Sequence, residues 1–160
     1  MIAKAVVLST GDELTTGRIV DTNASWLADK LFEIGVDLVA VLTVGDYPDR
    51  LQWAWRHALE LGDVIISTGG IGPTADDLTS ETVAAVLGVP LVEDAASADR
   101  IRRFFAARGV EMPVNNLKQA MMPQGSVVVP NPLGTAPGYR VEQKGRHVVV
   151  LPGVPREMKP

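Results

Sequence analysis

DVIISTGGIGPTADDLTSETVA, residues 63–84, places an apolar run, a glycine-rich turn, two adjacent carboxylates and a helix start in one stretch. Val64, Ile65 and Ile66 are β-branched and uninterrupted by polar residues, which predicts a strand buried on both faces of a parallel sheet. The strand is expected to end at Ser67 and Thr68. Gly69, Gly70 and Gly72 then allow a tight turn and close approach to a ligand, because no Cβ stands in the way. Pro73 stiffens that turn. Asp76, Asp77, Thr79 and Glu81 favour a helix N-terminus, and Val83, Ala84, Val86 and Leu87 supply its inner stripe.

Open α/β sheets bind ligands at the carboxyl ends of their strands, and free amides there suit a phosphate. The two aspartates oppose that, since a carboxylate about 4 Å from a phosphate costs roughly 4 kcal/mol at an effective dielectric near 20. A divalent cation between them reverses the sign. The stretch therefore reads as a site for a phosphorylated ligand with Mg²⁺ or a similar hard ion between phosphate and carboxylate. The alternative is that Asp76 and Asp77 only cap a helix. The glycine spacing is neither a Walker loop nor the dinucleotide fingerprint.

The chain of 160 residues, 46% hydrophobic, suits one domain with a sizeable core. A net charge of -4 argues against nucleic-acid binding as its main business and leaves small anionic ligands open. With no cysteine, disulfides and thiol chemistry are excluded, and a reducing cytoplasm is the expected location. The N-terminal apolar run is too short for a signal peptide, and no segment reaches membrane-spanning length.

Upstream, Ile2 to Leu8 reads as a strand delivering Asp12 and Glu13 into a loop, with a solvated turn as the plain alternative. Asp21 or Thr22 caps a helix through Ile34 whose inner face is Leu27, Ala28, Leu31 and Phe32. Val36 to Val44 is a second strand, carrying Asp46 in the loop that follows. Asp49 caps a helix that Gly62 ends, in which Trp53, Trp55 and His57 read as packing and surface residues.

Downstream, Val89 to Val92 reads as a short strand and Asp94 to Arg108 as an amphipathic helix with Ile101, Phe104 and Phe105 inward. Its arginines, Arg100, Arg102, Arg103 and Arg108, read as a solvated, salt-bridged face. Pro113 to Met122 is expected to be a short helix, and Ser126 to Val129 a strand. Tyr139 to Gln143 and Arg146 to Leu151 form a hairpin around Lys144 and Gly145. Arg156 to Pro160 reads as the start of a further segment. The order predicts a three-layer α/β/α domain on a mostly parallel sheet with a C-terminal β-hairpin, gathering Asp12, Asp46 and Asp77 at one edge.

TGGIGPTADDLT at Thr68 to Thr79 resembles the signature loop of the molybdopterin-binding fold, shared by the MogA and MoaB proteins, gephyrin, MoeA and the N-terminal domain of CinA. GRIVDTN at Gly17 to Asn23, VGDYPDRL at Val44 to Leu51, NNLKQAMMP at Asn115 to Pro123, NPLGTAPGY at Asn131 to Tyr139 and LPGVPREM at Leu151 to Met158 are most similar to CinA. STGDELTTG at Ser9 to Gly17 departs from that pattern. It lacks the usual double leucine and looks more like MoeA.

The resemblance implies one domain over residues 1–160, without the separate deamidase domain of CinA, and a homo-oligomer. It also implies two chemistries for one pocket. In MogA-type enzymes two aspartates, matching Asp46 and Asp77, serve Mg²⁺-dependent adenylyl transfer to molybdopterin. In CinA-type proteins the domain is associated with metal-dependent hydrolysis of ADP-ribose to AMP and ribose 5-phosphate.

On that reading a pyrophosphate lies against Gly69, Gly70 and Gly72 and against Gly134, Thr135 and Ala136, with Thr68 and Gly153 beside it. Asp77, with Asp46 or Asp76, holds Mg²⁺, Mn²⁺ or Co²⁺. Lys118 stabilises developing charge, and Glu13 orients a ribose hydroxyl or a water. The rival expectations are a pterin-handling or adenylyl-transferring protein, and a non-catalytic nucleotide-binding regulatory domain. The expected partner throughout is a small phosphorylated nucleotide or pterin, with no nucleic acid and no membrane.

Overall fold

The computed structural model describes residues 3–160. Strand β1 (Lys4–Thr10) lies between β2 (Asp37–Val44) and β3 (Val64–Thr68), and β8 (Arg146–Leu151) follows β3, all four parallel. Beyond β8 the sheet turns antiparallel through β7 (Gly138–Gln143) and β6 (Val127–Val129), giving the order β2-β1-β3-β8-β7-β6. The expected α/β class with a mostly parallel sheet is what the chain adopts. Lys144 and Gly145, at φ 52° and 73°, make the two-residue turn between β7 and β8.

Alternation along β1 explains the layers. Val6 and Leu8 face one core, with Trp55 from α3 (Pro48–Leu61), Val83 from α4 (Thr79–Leu87) and Ile65. Ala5 and Val7 face the other, with Ala24, Leu27 and Leu31 from α2 (Thr22–Glu33) and Met158 from α6 (Pro155–Met158). A strand with helices on both sides needs apolar residues at every position, which is why β1 reads as a continuous run. A third, smaller core stands apart: Ala98 and Ile101 of α5 (Ala95–Ala106), with Ala120, Phe105 and Leu117.

Local signals account for most ends. Asp21 accepts a hydrogen bond from the Ala24 N–H (2.9 Å), and Asp94 one from Ser97 (2.7 Å), as N-caps. Gly88 closes α4 in the left-handed conformation, φ 71°.

Several expectations are corrected. The first strand runs two residues further than expected, to Thr10, because pairing with β2 continues to Thr10–Val44; Ile2, its expected start, lies outside the described residues. Phe32 is 83% exposed and is not part of the inner face of α2, which Ala24, Leu27 and Leu31 form. Helix α3 begins at Pro48, with Asp49 inside its first turn and not at its cap. The strand expected at Val89 to Val92 is Leu91–Glu93 (β4), which leaves the main sheet to pair antiparallel with Met121–Pro123 (β5). Pro113 to Met122 is a 3-10 helix over Val114–Ala120 that passes straight into β5. A four-residue helix, α1 (Asp12–Thr15), occupies the loop after β1.

Trp55 has no exposed surface, whereas Trp53 is 56% exposed. Trp55→Ala is expected to cost about 3–5 kcal/mol by urea unfolding, and Trp53→Ala to stay within about 0.5 kcal/mol of the native chain.

Candidate functional site

Because β1, β2, β3 and β8 are parallel, their carboxyl ends share one edge, and the loops after them enclose a cleft of about 940 Å³. Glu13, Asp46, Asp76, Asp77, the glycine loop, Gly134 to Ala136 and Gly153 all line it. Sequence reasoning placed these residues together, and the structure brings them together. Lys118 is the exception.

The acidic side is built by the first two strands. The Gly11 N–H donates to the Val44 carbonyl (3.0 Å), and Asp12 and Asp46 clasp reciprocally: each backbone N–H donates to the other's carboxylate at 3.2 Å. Asp12 is spent in this clasp and does not line the cleft. Burial raises the pKa of Asp46 above its ordinary value; the Asp12 amide opposes this, and the charges of Asp12, Glu13 and Asp77 add to it. Such a carboxylate gains from a cation beside it.

The glycine loop is clamped from both sides. The Gly69 N–H donates to the Leu151 carbonyl (3.1 Å), so that amide is not free for a ligand as the sequence suggested. Thr79 binds twice, its N–H to the Gly70 carbonyl and its hydroxyl to the Gly69 carbonyl, both at 3.0 Å. At φ 99° and 68°, Gly69 and Gly70 are in the region where side chains strain. A Cβ on Gly69 would also stand 2.6 Å from the Thr10 carbonyl oxygen, and one on Gly70 would meet the Thr79 hydroxyl. The N–H groups of Gly70, Ile71 and Gly72 make no hydrogen bond among the described residues.

Asp77 does not cap α4. Its carboxylate accepts from the N–H (2.8 Å) and hydroxyl (2.6 Å) of Thr74, closing the turn before the helix, and α4 starts at Thr79 behind Leu78 without a side-chain cap. Lys118 grips the same turn from outside. Its ammonium donates to the Thr74 carbonyl (2.9 Å) and pairs with Glu81 (3.3 Å), a contact that positions the loop and leaves the cleft without this charge.

Asn23 joins two of the loops. Its amide nitrogen donates to the Gly153 carbonyl (2.8 Å) and the Thr68 hydroxyl (2.9 Å), and Thr68 in turn donates to the Pro152 carbonyl (2.9 Å). The Thr68 hydroxyl is thereby committed to structure. Asn131, 1% exposed, plays the same part elsewhere: its oxygen accepts from Leu133 and Gly134, and its nitrogen donates to Ala136 and Glu157. The Gly134 amide is therefore engaged, while those of Thr135 and Ala136 make no hydrogen bond among the described residues. Arg100 donates to the carbonyls of Asn131 and Gly134, which removes it from the expected solvated face.

Sequence reasoning missed Thr10, Asn23, Asn131 and Gln119. Asn23 carried a legible signal, because it shares the inner face of α2 with Ala24, Leu27 and Leu31 where an apolar residue belongs. Three of these residues hold buried oxygens without a partner among the described residues, Thr10 Oγ1, Asn23 Oδ1 and Gln119 Oε1, and all three line the cleft. A buried unsatisfied acceptor costs about 1–3 kcal/mol and points to a missing donor.

Among the described residues no three His, Cys, Asp or Glu side chains stand close enough to cage a metal. Asp46, Asp76 and Asp77 all line the cleft, so its acidic side carries three carboxylates beside Glu13.

Residues 6–160 match the family described as "Probable molybdopterin binding domain". A "CinA-like protein" from Thermomicrobium roseum is 50% identical over 154 residues, 96% of this chain and 38% of that protein. The chain spans 38% of the length of other curated relatives as well. A crystal structure of the protein CinA from Thermoplasma acidophilum superposes with a TM-score of 0.91 at 36% identity, covering 99% of this chain and 92% of that one. The Molybdopterin biosynthesis Mog protein from Mycobacterium ulcerans shares the fold, with a TM-score of 0.64 at 23% identity over 98% of this chain and 88% of that one.

The raised pKa of Asp46 has a defined consequence for stability. The folded state holds this proton more tightly than the unfolded one, so stability falls as pH rises from the ordinary carboxylate value to the folded value, and the penalty persists above it. Asp46→Asn keeps an acceptor for the Asp12 N–H and removes the charge. In metal-free buffer it is expected to melt above the native chain near pH 7 and to converge with it below about pH 3, as read by thermal unfolding at each pH.

Proposed function

The chain belongs to the molybdopterin-binding domain family, on its CinA-like side, and from that premise we propose that the cleft binds a phosphorylated pterin or adenosine ligand with its phosphate on the glycine loop. One observation carries this: three consecutive amides, Gly70, Ile71 and Gly72, stand unengaged among the described residues in a loop whose shape is held by Thr79 and Leu151. Preorganised amides bind an oxyanion without first breaking bonds of their own. The name of the Mycobacterium ulcerans relative supports a pterin, and the family description agrees.

Asp46, Asp77 and Asp76 would hold a divalent ion, Mg²⁺, Mn²⁺ or Co²⁺, which when bound neutralises phosphate charge and polarises a phosphoryl oxygen. Thr74 keeps the Asp77 carboxylate fixed, so it meets a ligand without reorganising. The Thr135 and Ala136 amides lie on the facing loop as further donors.

A second reading, hydrolysis of ADP-ribose at its pyrophosphate, is favoured by the state of Asp46. A carboxylate whose proton affinity is raised in a ligand cleft suits a general base, and on this reading Asp77 and Asp76 would hold the ion while Asp46 stays off it. It would take a proton from water as the water oxygen bonds to phosphorus. The bridging P–O bond then breaks, leaving AMP and ribose 5-phosphate, and Glu13 stands in the same cleft to orient the water or a ribose hydroxyl.

The deciding experiment titrates the chain with ADP-ribose, ADP and a pterin phosphate, with Mg²⁺ or chelator, and follows AMP release chromatographically. Binding without AMP release supports the first reading, and metal-dependent AMP release the second. No binding of any phosphorylated probe overturns both. Gly70→Ala, which strains the backbone and collides with Thr79, is expected to weaken every phosphorylated probe at least tenfold, about 1.4 kcal/mol or more. Asp77→Asn keeps an acceptor for Thr74 and should lose the metal-dependent part of binding or turnover while its unfolding midpoint stays within a few degrees of the native chain, about 1 kcal/mol at most.

A further inference from the structure

One wall of the cleft belongs to the main sheet and the other to the separate small core. The first carries the glycine loop. The second carries Phe104 and Phe105 of α5 and Gln119 of the 3-10 helix, all of which line the cleft. Lys118 and Asn115 tie this second wall to the glycine loop at the Thr74 and Pro73 carbonyls, which fixes the spacing between the two.

The chemistry of the second wall is distinctive. Phe104 and Phe105 stand edge to face with centroids 5.7 Å apart and are only half-buried, although aromatic residues of this size gain most from full burial. The Arg108 guanidinium sits 3.5 Å over the Phe104 ring and occupies one of its faces. Gln119 is 9% exposed, yet its side chain makes no hydrogen bond among the described residues, and its Oε1 is buried without a partner. A carboxamide offers a donor and an acceptor side by side, the complement of an amino-substituted heteroaromatic edge. A bare phosphate or a sugar phosphate would satisfy neither the rings nor the amide edge.

We infer that Phe104, Phe105 and Gln119 form the ring-recognition wall of the cleft: the ligand's planar amino-heterocycle packs against the phenylalanine pair, face to one ring and edge to the other, and Gln119 pairs with its polar edge while the phosphate lies on the glycine loop. This rests on the phosphate-binding reading above and adds the residues that select the ring. Purines and pterins share the chemistry, each being flat and amino-bearing. Gln119 acts as a specificity determinant, remote from any bond that breaks.

The test is calorimetric titration of the chain with ADP and 6-hydroxymethylpterin monophosphate as ring-bearing probes, and inorganic pyrophosphate as the ringless one, all with Mg²⁺. Gln119→Met conserves length and removes the amide, and Phe104→Leu removes a half-exposed ring. At least one ring-bearing probe is expected to bind the native chain more tightly than pyrophosphate does. That probe should then lose tenfold or more in Gln119→Met and several-fold in Phe104→Leu, with pyrophosphate affinity unchanged in both. Native-like binding of ring-bearing probes by the variants, or equal losses for pyrophosphate, overturns the ring wall and leaves the phosphate reading standing. So does a native chain that binds pyrophosphate at least as tightly as both ring-bearing probes. Failure of the native chain to bind any of the three overturns the phosphate reading itself, and the ring wall with it.

Discussion

The junction between β3 and β8 is the constraint from which the cleft follows. Thr68 pairs with Leu151 at the last register position of both strands, and the Gly69 N–H then crosses to the Leu151 carbonyl. The two chains stay together one residue beyond the sheet. Gly153 comes so near Gly69 that a Cβ on it would lie 3.2 Å from the Gly69 Cα. Asn23 and Thr68 lock this approach through a chain of hydrogen bonds in which every donor has an acceptor. Inside a low-dielectric region such a network makes one arrangement of the loops much more stable than its neighbours. The amides of Gly70, Ile71 and Gly72 are usable because the carbonyls of Gly69 and Gly70 and the Gly69 amide are committed to Thr79 and Leu151.

The acidic side follows the opposite logic. Asp12 and Asp46 hold two loops together by mutual backbone contacts, yet bring like charges near each other and near Glu13 and Asp77. A fold selected for stability alone would not retain that repulsion, and its location at a strand-end cleft is the pattern of stability given up for function. Of the buried oxygens without a partner among the described residues, those of Thr10, Asp21, Asn23 and Gln119 fall on residues that line this cavity, each at a local cost.

Much of this was readable in the chain. The buried run Val64 to Ile66, the left-handed glycines and the caps at Asp21 and Asp94 each declare themselves through local chemistry, and alternation along β1 gives both cores. The parallel order brings strand-end carboxylates to one edge, so Asp46 and Asp77 could be paired from sequence. Other features depend on partners distant in sequence. Lys118 looks like a free charge until the Thr74 carbonyl, 44 residues away, accepts a hydrogen bond from it. Phe32 fits a helical stripe, yet the buried face of α2 runs through Ala24, Leu27 and Leu31 and leaves it exposed. The pairing of β4 with β5 was invisible, since three-residue strands carry too little periodicity to show where they go.

The small core of α5 and the 3-10 helix has a consequence for cooperativity. It is joined to the rest through the β4–β5 ribbon, the Lys118 contact and the hold of Arg100 on the Asn131 and Gly134 carbonyls, and it shares no buried residue with the two larger cores. Such a unit can open by itself at a free energy well below that of global unfolding. A ligand bridging the cleft would bind across the seam and weld the two units together. Its binding energy would then show first as slowed amide exchange in α5, far from the phosphate that anchors it.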